Sequence, residues 1–168
     1  MDSPLTELGV AQALAQHEIL KKQNLEGVTA FCSPQGRAFQ TASIAMRGLL
    51  PAIETDSRLR EIGVGDWQGH LVSDVPVAGI LDESDESVFD LYERAPGGEG
   101  FAALKDRCHA FLMHLSGPAI VVTHGITSRM LRLILLGQHI SEMGSLPGGQ
   151  GVVYHLKDGV QFKLTIGA

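Results

Sequence analysis

The stretch Ile120-Val121-Val122-Thr123-His124-Gly125-Ile126-Thr127-Ser128-Arg129-Met130 decides the fold. It opens within a continuous apolar run, Ala119 to Val122, that follows the breaker Ser116-Gly117-Pro118. A short run of this kind predicts a strand buried on both faces of a parallel sheet. The run ends on His-Gly, and Ile126, Met130, Leu133 and Ile134 then repeat at helical spacing. A strand that delivers a polar side chain at its carboxyl end, just before a helix, is where open α/β sheets place their sites. The unsatisfied N–H groups and dipole of a helix start favour an anion there. The bland alternative for His124 is a hydrogen-bonded histidine that merely ends a strand.

Working outward, the same order of elements recurs. Val28 to Cys32 predicts a short strand, Ser33-Pro34-Gln35-Gly36 turns the chain, and a helix is expected from Arg37 to Leu49, stopped by Pro51. Upstream, Thr6 can cap a helix whose apolar positions are Leu8, Ala11, Ala15 and Ile19, after an extended segment from Met1 to Leu5. Ile53 to Leu59 predicts a further strand, followed by the glycine-rich loop Arg60 to Gly69 with the single tryptophan, Trp67. Residues 70–95 are the least periodic and are read as a small helical excursion or lid. Phe101, Leu104, Cys108, Phe111, Leu112 and Leu115 then mark a strong helix. At the end, Val152–Leu156 and Val160–Leu164 flank Asp158-Gly159, a hairpin signal. The expected fold is a three-layer α/β/α sandwich with a mostly parallel sheet and a C-terminal antiparallel hairpin, in one domain covering residues 1–168.

The totals bound the functions. At 168 residues, 44% hydrophobic and 19% charged, the chain can bury a core. A net charge of −6 argues against a nucleic-acid or membrane surface while leaving room for a local cationic pocket. No apolar run reaches transmembrane length and no signal peptide opens the sequence, so a cytoplasmic location is the expectation. Cys32 and Cys108 lie in apolar settings and read as free buried thiols.

Three residues stand out for chemistry. Arg37 starts a helix just past a strand, where its guanidinium would oppose the dipole unless it served an anion; its planar fork suits a phosphate. Glu61 follows a strand and could act as a general acid, although most loop glutamates are simply solvated. His124, with Gly125, completes the set. The stretch Cys32 to Arg37 has four intervening residues, one short of the cysteine-phosphatase loop. His17, His70, His109, His114, His139 and His155 lack metal-ligand spacing.

Taken together, the pieces resemble the histidine phosphatase superfamily, in its phosphoglycerate-mutase-like branch. Asp2-Ser3-Pro4-Leu5-Thr6-Glu7-Leu8-Gly9 through Gln12-Ala13 is similar to that family's P-L-T helix. Ser33-Pro34-Gln35-Gly36-Arg37-Ala38-Phe39-Gln40-Thr41-Ala42 resembles its S-P-x-x-R-A-x-Q-T-A segment. Leu59-Arg60-Glu61 with Gly65-Asp66-Trp67-Gln68-Gly69, then Pro96-Gly97-Gly98-Glu99 and Val122-Thr123-His124-Gly125, resemble its remaining signatures. The resemblance implies a phosphatase acting on a small phosphorylated metabolite through a phosphohistidine, without metal or cofactor. Arg37, His124 and Gly125 would bind the phosphoryl oxygens, and Glu61 would protonate the leaving group. The short excursion at 70–95, whose only Lys or Arg is Arg94, leans toward a phosphatase over a bisphosphate-handling mutase.

One departure matters. The family's nucleophile is the histidine of an Arg-His-Gly triplet on a strand upstream of the P-L-T helix. None of the seven histidines here follows an arginine and precedes a glycine. The expectation is a truncated, catalytically impaired chain that lacks a central strand, or alternatively a non-catalytic phosphate-binding or interaction module. Oligomeric state stays open, with the edge of the final hairpin a candidate homodimer contact.

Overall fold

The computed structural model describes residues 4–71, 74, 75 and 85–166. The first three residues of the extended amino-terminal segment, and most of the excursion's first half, lie outside them. The elements run α1 (Glu7–Leu20), β1 (Thr29–Cys32), α2 (Gly36–Ala45), β2 (Glu54–Thr55), α3 (Asp85–Arg94), α4 (Gly100–His114), β3 (Ala119–Val122), α5 (Gly125–Leu136) and the strands β4 (Val153–Lys157) and β5 (Val160–Leu164).

The sheet is parallel, in the order β2-β1-β3. In register, Thr29 pairs with Ala119 and Cys32 with Val122, so β1 and β3 end level with each other. Alternate side chains of these strands enter two cores, as the period of two requires. Phe31, Ala119 and Val121 face a cluster built on Leu104, Cys108 and Phe111 of α4 and Ile126, Met130 and Leu133 of α5. Ala30, Cys32, Ile120 and Val122 face the other way, toward Leu20 of α1 and Ala42, Ala45 and Met46 at α2. Helices therefore cover both faces, the three-layer arrangement that the alternating sequence pattern predicts. Phe31 and Phe111 meet edge to face, with centroids 5.5 Å apart. Both cysteines are free and buried; burial pushes the Cys108 thiol up to about 12.

Local chemistry sets the boundaries. Thr6 caps α1 by accepting from the Gly9 N–H at 3.1 Å. The expected strand over 53–59 shortens to two residues because Asp56 takes the Arg58 backbone N–H at 2.8 Å and pairs with its guanidinium, which winds Ser57–Leu59 into a single 3-10 turn. Helix α2 stops at Ala45, short of its expected end at Leu49; Ile140–Ser145 forms a 3-10 helix that the sequence pattern did not suggest. The hairpin is as expected: Asp158 and Gly159 both take positive φ, 52° and 74°, the left-handed pair that suits the twist of a two-residue turn.

The sheet has an open side. Strand β4 pairs with β5 in a separate antiparallel sheet. Among the described residues no strand pairs with the second edge of β3. The consequence shows in burial: in β1, with neighbours on both sides, Ala30, Phe31 and Cys32 are buried, whereas all four apolar residues of β3 are only half-buried. The hairpin is nonetheless tied to the rest. Arg132 of α5 reaches Gln161 at 2.9 Å and stacks 4.2 Å from the Tyr154 ring centroid, and Val153 packs against the α1/α2 core.

Candidate active site

At the carboxyl end of the sheet the chain leaves β1 into Ser33 and leaves β3 into Thr123 and His124. Because the two strands end level, these polar residues emerge side by side, with the Ser33 N–H bonded to the Val122 carbonyl at 2.9 Å. The His124 Nε2 lies 2.8 Å from Ser33 Oγ. Gln35 extends the network: its side-chain oxygen accepts from the Glu61 backbone N–H at 2.9 Å, and its own backbone N–H donates to Ser33 Oγ at 3.2 Å. Side chains 91 positions apart, Ser33 and His124, thus share a hydrogen bond, and Gln35 joins Glu61 to the same cluster.

Glu61 occupies the amino end of α5. Its Oε1 accepts from the Thr127 N–H at 3.0 Å and the Thr127 hydroxyl at 3.0 Å, and its Oε2 accepts from the Ile126 N–H at 3.2 Å. The amides expected to await an anion at the start of this helix already hold one, supplied by the protein itself. His124 is the N-cap residue by position, with extended backbone, but makes no side-chain cap of its own; the Glu61 carboxylate does that work. Thr127, fully buried, passes its hydroxyl between Glu61 and the Arg60 carbonyl, 2.7 Å away.

Arg37 lies in the first turn of α2 with an exposed side chain. It shares the sheet end with the other residues through topology, since α2 follows β1 as α5 follows β3. No described hydrogen bond or ion pair joins it to the Ser33–His124–Glu61 cluster.

The loop that carries Glu61 is braced from behind. Glu99 accepts from the Gly63 N–H at 3.2 Å and pairs with Arg107, which also donates to the Arg58 carbonyl. Desolvation pushes the Glu99 carboxyl up, but Arg107 and the Gly63 N–H outweigh it and leave the group below its usual range. Gly65 has φ +49°, and a side chain there would run into the Pro96 carbonyl. The Pro96–Glu99 signature is thus the packing partner of the Glu61 loop. Above it, α3 of the excursion comes close: burial and then the Glu61 carboxylate push the Tyr92 hydroxyl up, against the opposing pull of Arg129. The Arg129 guanidinium sits 5.2 Å from the Phe89 ring centroid and donates to the Leu146 carbonyl at 3.1 Å.

Ser33, Gln35 and Thr127 were not distinguished by the sequence pattern. The available signal was slight: Ser33 ends an apolar strand on a polar residue, as His124 does.

Residues 1–159 match the histidine phosphatase superfamily (branch 1), and the chain belongs to that superfamily. A Yersinia pestis (strain Pestoides F) protein described as "Probable phosphoglycerate mutase GpmB" is 30% identical over 147 residues, which cover 81% of this chain and 65% of the relative. The chain therefore spans a little under two thirds of the length of the curated relatives it matches. A mycobacterial glucosyl-3-phosphoglycerate phosphatase in complex with inorganic phosphate superposes with a TM-score of 0.73 at 26% identity, over 92% of this chain and 82% of that one. The α-ribazole phosphatase of Shigella flexneri shares the fold, with a TM-score of 0.71 at 21% identity over 99% of this chain and 86% of that one.

Proposed function

We propose that this chain carries the phosphoryl-binding half of a phosphomonoester phosphatase, and that the nucleophilic histidine belongs to a strand which this sequence does not contain. The observation that carries the reading is the hydrogen-bonded chain from His124 through Ser33 and Gln35 to the Glu61 backbone N–H, which, with the Glu61 carboxylate seated on the first turn of α5, gathers an imidazole and a carboxylate at one end of the sheet. The relatives and structural neighbours support phosphoryl chemistry on small phosphorylated metabolites.

In this reading Arg37 presents two N–H groups to the phosphoryl oxygens, and His124 hydrogen-bonds the same group as its charge spreads. Positioning and electrostatic stabilisation of this kind supply most of the catalysis in phosphoryl transfer. Glu61 delivers the proton to the leaving oxygen. To do so it must exchange some of its contacts with α5, because the Ile62, Ile126 and Thr127 N–H groups all meet its side chain where a carboxylate oxygen accepts. The incoming strand would pair with the open edge of β3 and bring its terminal residue to the same end of the sheet. The second reading, a non-catalytic phosphate-binding module, gains from the same engagement of Glu61 and from the missing Arg-His-Gly triplet.

The test compares this chain with a version extended upstream by an Arg-His-Gly strand, assayed on p-nitrophenyl phosphate. Turnover is expected only in the extended form. Turnover in the chain as given that vanishes in His124→Ala would overturn the assignment of the nucleophile.

A further inference from the structure

We propose that Ser33 is the positioning residue for the His124 imidazole, and that Gln35 keeps the Ser33 hydroxyl available to it; the proposal builds on the reading of His124 as the phosphoryl-facing group. The Ser33 side chain is fully buried, and its oxygen lies 2.8 Å from His124 Nε2, a short contact for this pair of atoms. A buried hydroxyl has one proton to give and two lone pairs to fill. One lone pair is taken by the Gln35 backbone N–H at 3.2 Å. The remaining capacity is one donor and one acceptor, and the imidazole can use either.

Gln35 supplies the complement. Its amide orientation is fixed, because the Glu61 N–H at 2.9 Å must meet the oxygen end. That oxygen therefore faces Ser33 Oγ at 3.5 Å as a second acceptor. With the ring proton on Nδ1, Ser33 donates to Nε2. With the ring proton on Nε2, Ser33 accepts it and turns its own proton toward Gln35. In either tautomer Nε2 and the Ser33 hydroxyl each keep a partner, so this side of the ring stays fixed as its proton moves. A serine present only to shape the turn after β1 needs no more than the two Gln35 contacts, accepting from its N–H and turning its proton toward its side-chain oxygen; the close approach to Nε2 is an additional feature.

The test uses long-range proton–nitrogen NMR of the imidazole rings in the uniformly 15N-labelled chain, with the His124 signals assigned by their loss in His124→Gln. In the native chain they should differ from those of a free imidazole. In Ser33→Ala they should move to the free-imidazole pattern while the backbone spectrum stays folded, and inorganic phosphate should bind about tenfold more weakly, the loss expected for one hydrogen bond. Should Ser33→Ala fail to fold, Ser33→Cys keeps the shape with a much weaker donor and is expected to shift the same signals. Unchanged His124 signals in whichever variant folds would overturn the proposal. Native His124 signals that depend on Ser33 but ignore added phosphate would leave the positioning intact and refute the phosphate reading.

Discussion

Glu61 is the residue whose role the structure alters most. Read along the sequence it is a candidate acid; in the fold it is also the cap of α5, meeting two helix N–H groups and a hydroxyl. Glu61→Ala should therefore lower stability in urea by about 1–2 kcal/mol, the usual cost of losing a helix cap. Glu61→Gln, which keeps an acceptor, should lose less. Equal stability of the alanine variant and the native chain would show the cap contacts to be incidental. Asp56 and Glu99 make a second prediction. Both carboxyls sit below their usual range in the folded state, Asp56 through its hydrogen bond to Arg58 and Glu99 through Arg107 and Gly63 against desolvation. A depressed carboxyl stabilises the fold above its unfolded pKa and loses that contribution as pH falls through its lower folded value. Acid unfolding below about pH 4 should thus begin at higher pH in Arg107→Met than in the native chain, followed by circular dichroism. At this scale His124, Arg37 and Glu61 stand out as candidates because each is a polar residue that follows a strand signal. Ser33 and Gln35 were not, because Ser-Pro-Gln-Gly is what an ordinary turn contains. Their role depends on the level ends of β1 and β3, a register that no local pattern carries.

Among the elements, helices α2, α4 and α5 and the hairpin followed from periodicity and turn chemistry. The strand expected at 53–59 is cut to Glu54–Thr55, since the Asp56 side chain offers the backbone a local turn in place of further ladder bonds. The short 3-10 segment Gly65–Trp67 shows why a glycine-rich loop can be a rigid part. Gly65 combines a positive φ with a backbone carbonyl far inside van der Waals distance of where a Cβ would sit, so Gly65→Ala faces conformational strain and a clash with Pro96 together. We expect a loss of about 2–4 kcal/mol and release of the Glu61 loop, measured as faster amide exchange at Ile62 and Gly63. A variant as stable as the native chain would mean that the Pro96–Gly98 segment yields easily. Strand β3 forms where its apolar run predicts, but its residues, expected to be buried on both faces, are half-buried, because burial needs a neighbour on each edge and only β1 pairs with it among the described residues.

For the whole molecule, the alternation of strand and helix was enough to assign three layers, and the two separate cores on the faces of the sheet follow from it. The gap between the three-stranded sheet and the hairpin is the property that most constrains function. A row of backbone groups that no strand among the described residues pairs, beside half-buried valine and isoleucine, favours the addition of a strand. Extending the chain by an apolar strand upstream should raise the melting temperature by several degrees, as added apolar burial and paired backbone groups would in a domain of this size. An unchanged melt would indicate that the edge of β3 is not the seat of a strand. The central claim, that Arg37 and His124 serve one anion, is tested most directly by calorimetric titration of the native chain, Arg37→Ala and His124→Ala with inorganic phosphate. The account predicts one site in the native chain that is lost or weakened at least tenfold in each variant. Phosphate binding that is indifferent to both substitutions, or no binding in the native chain, would contradict it.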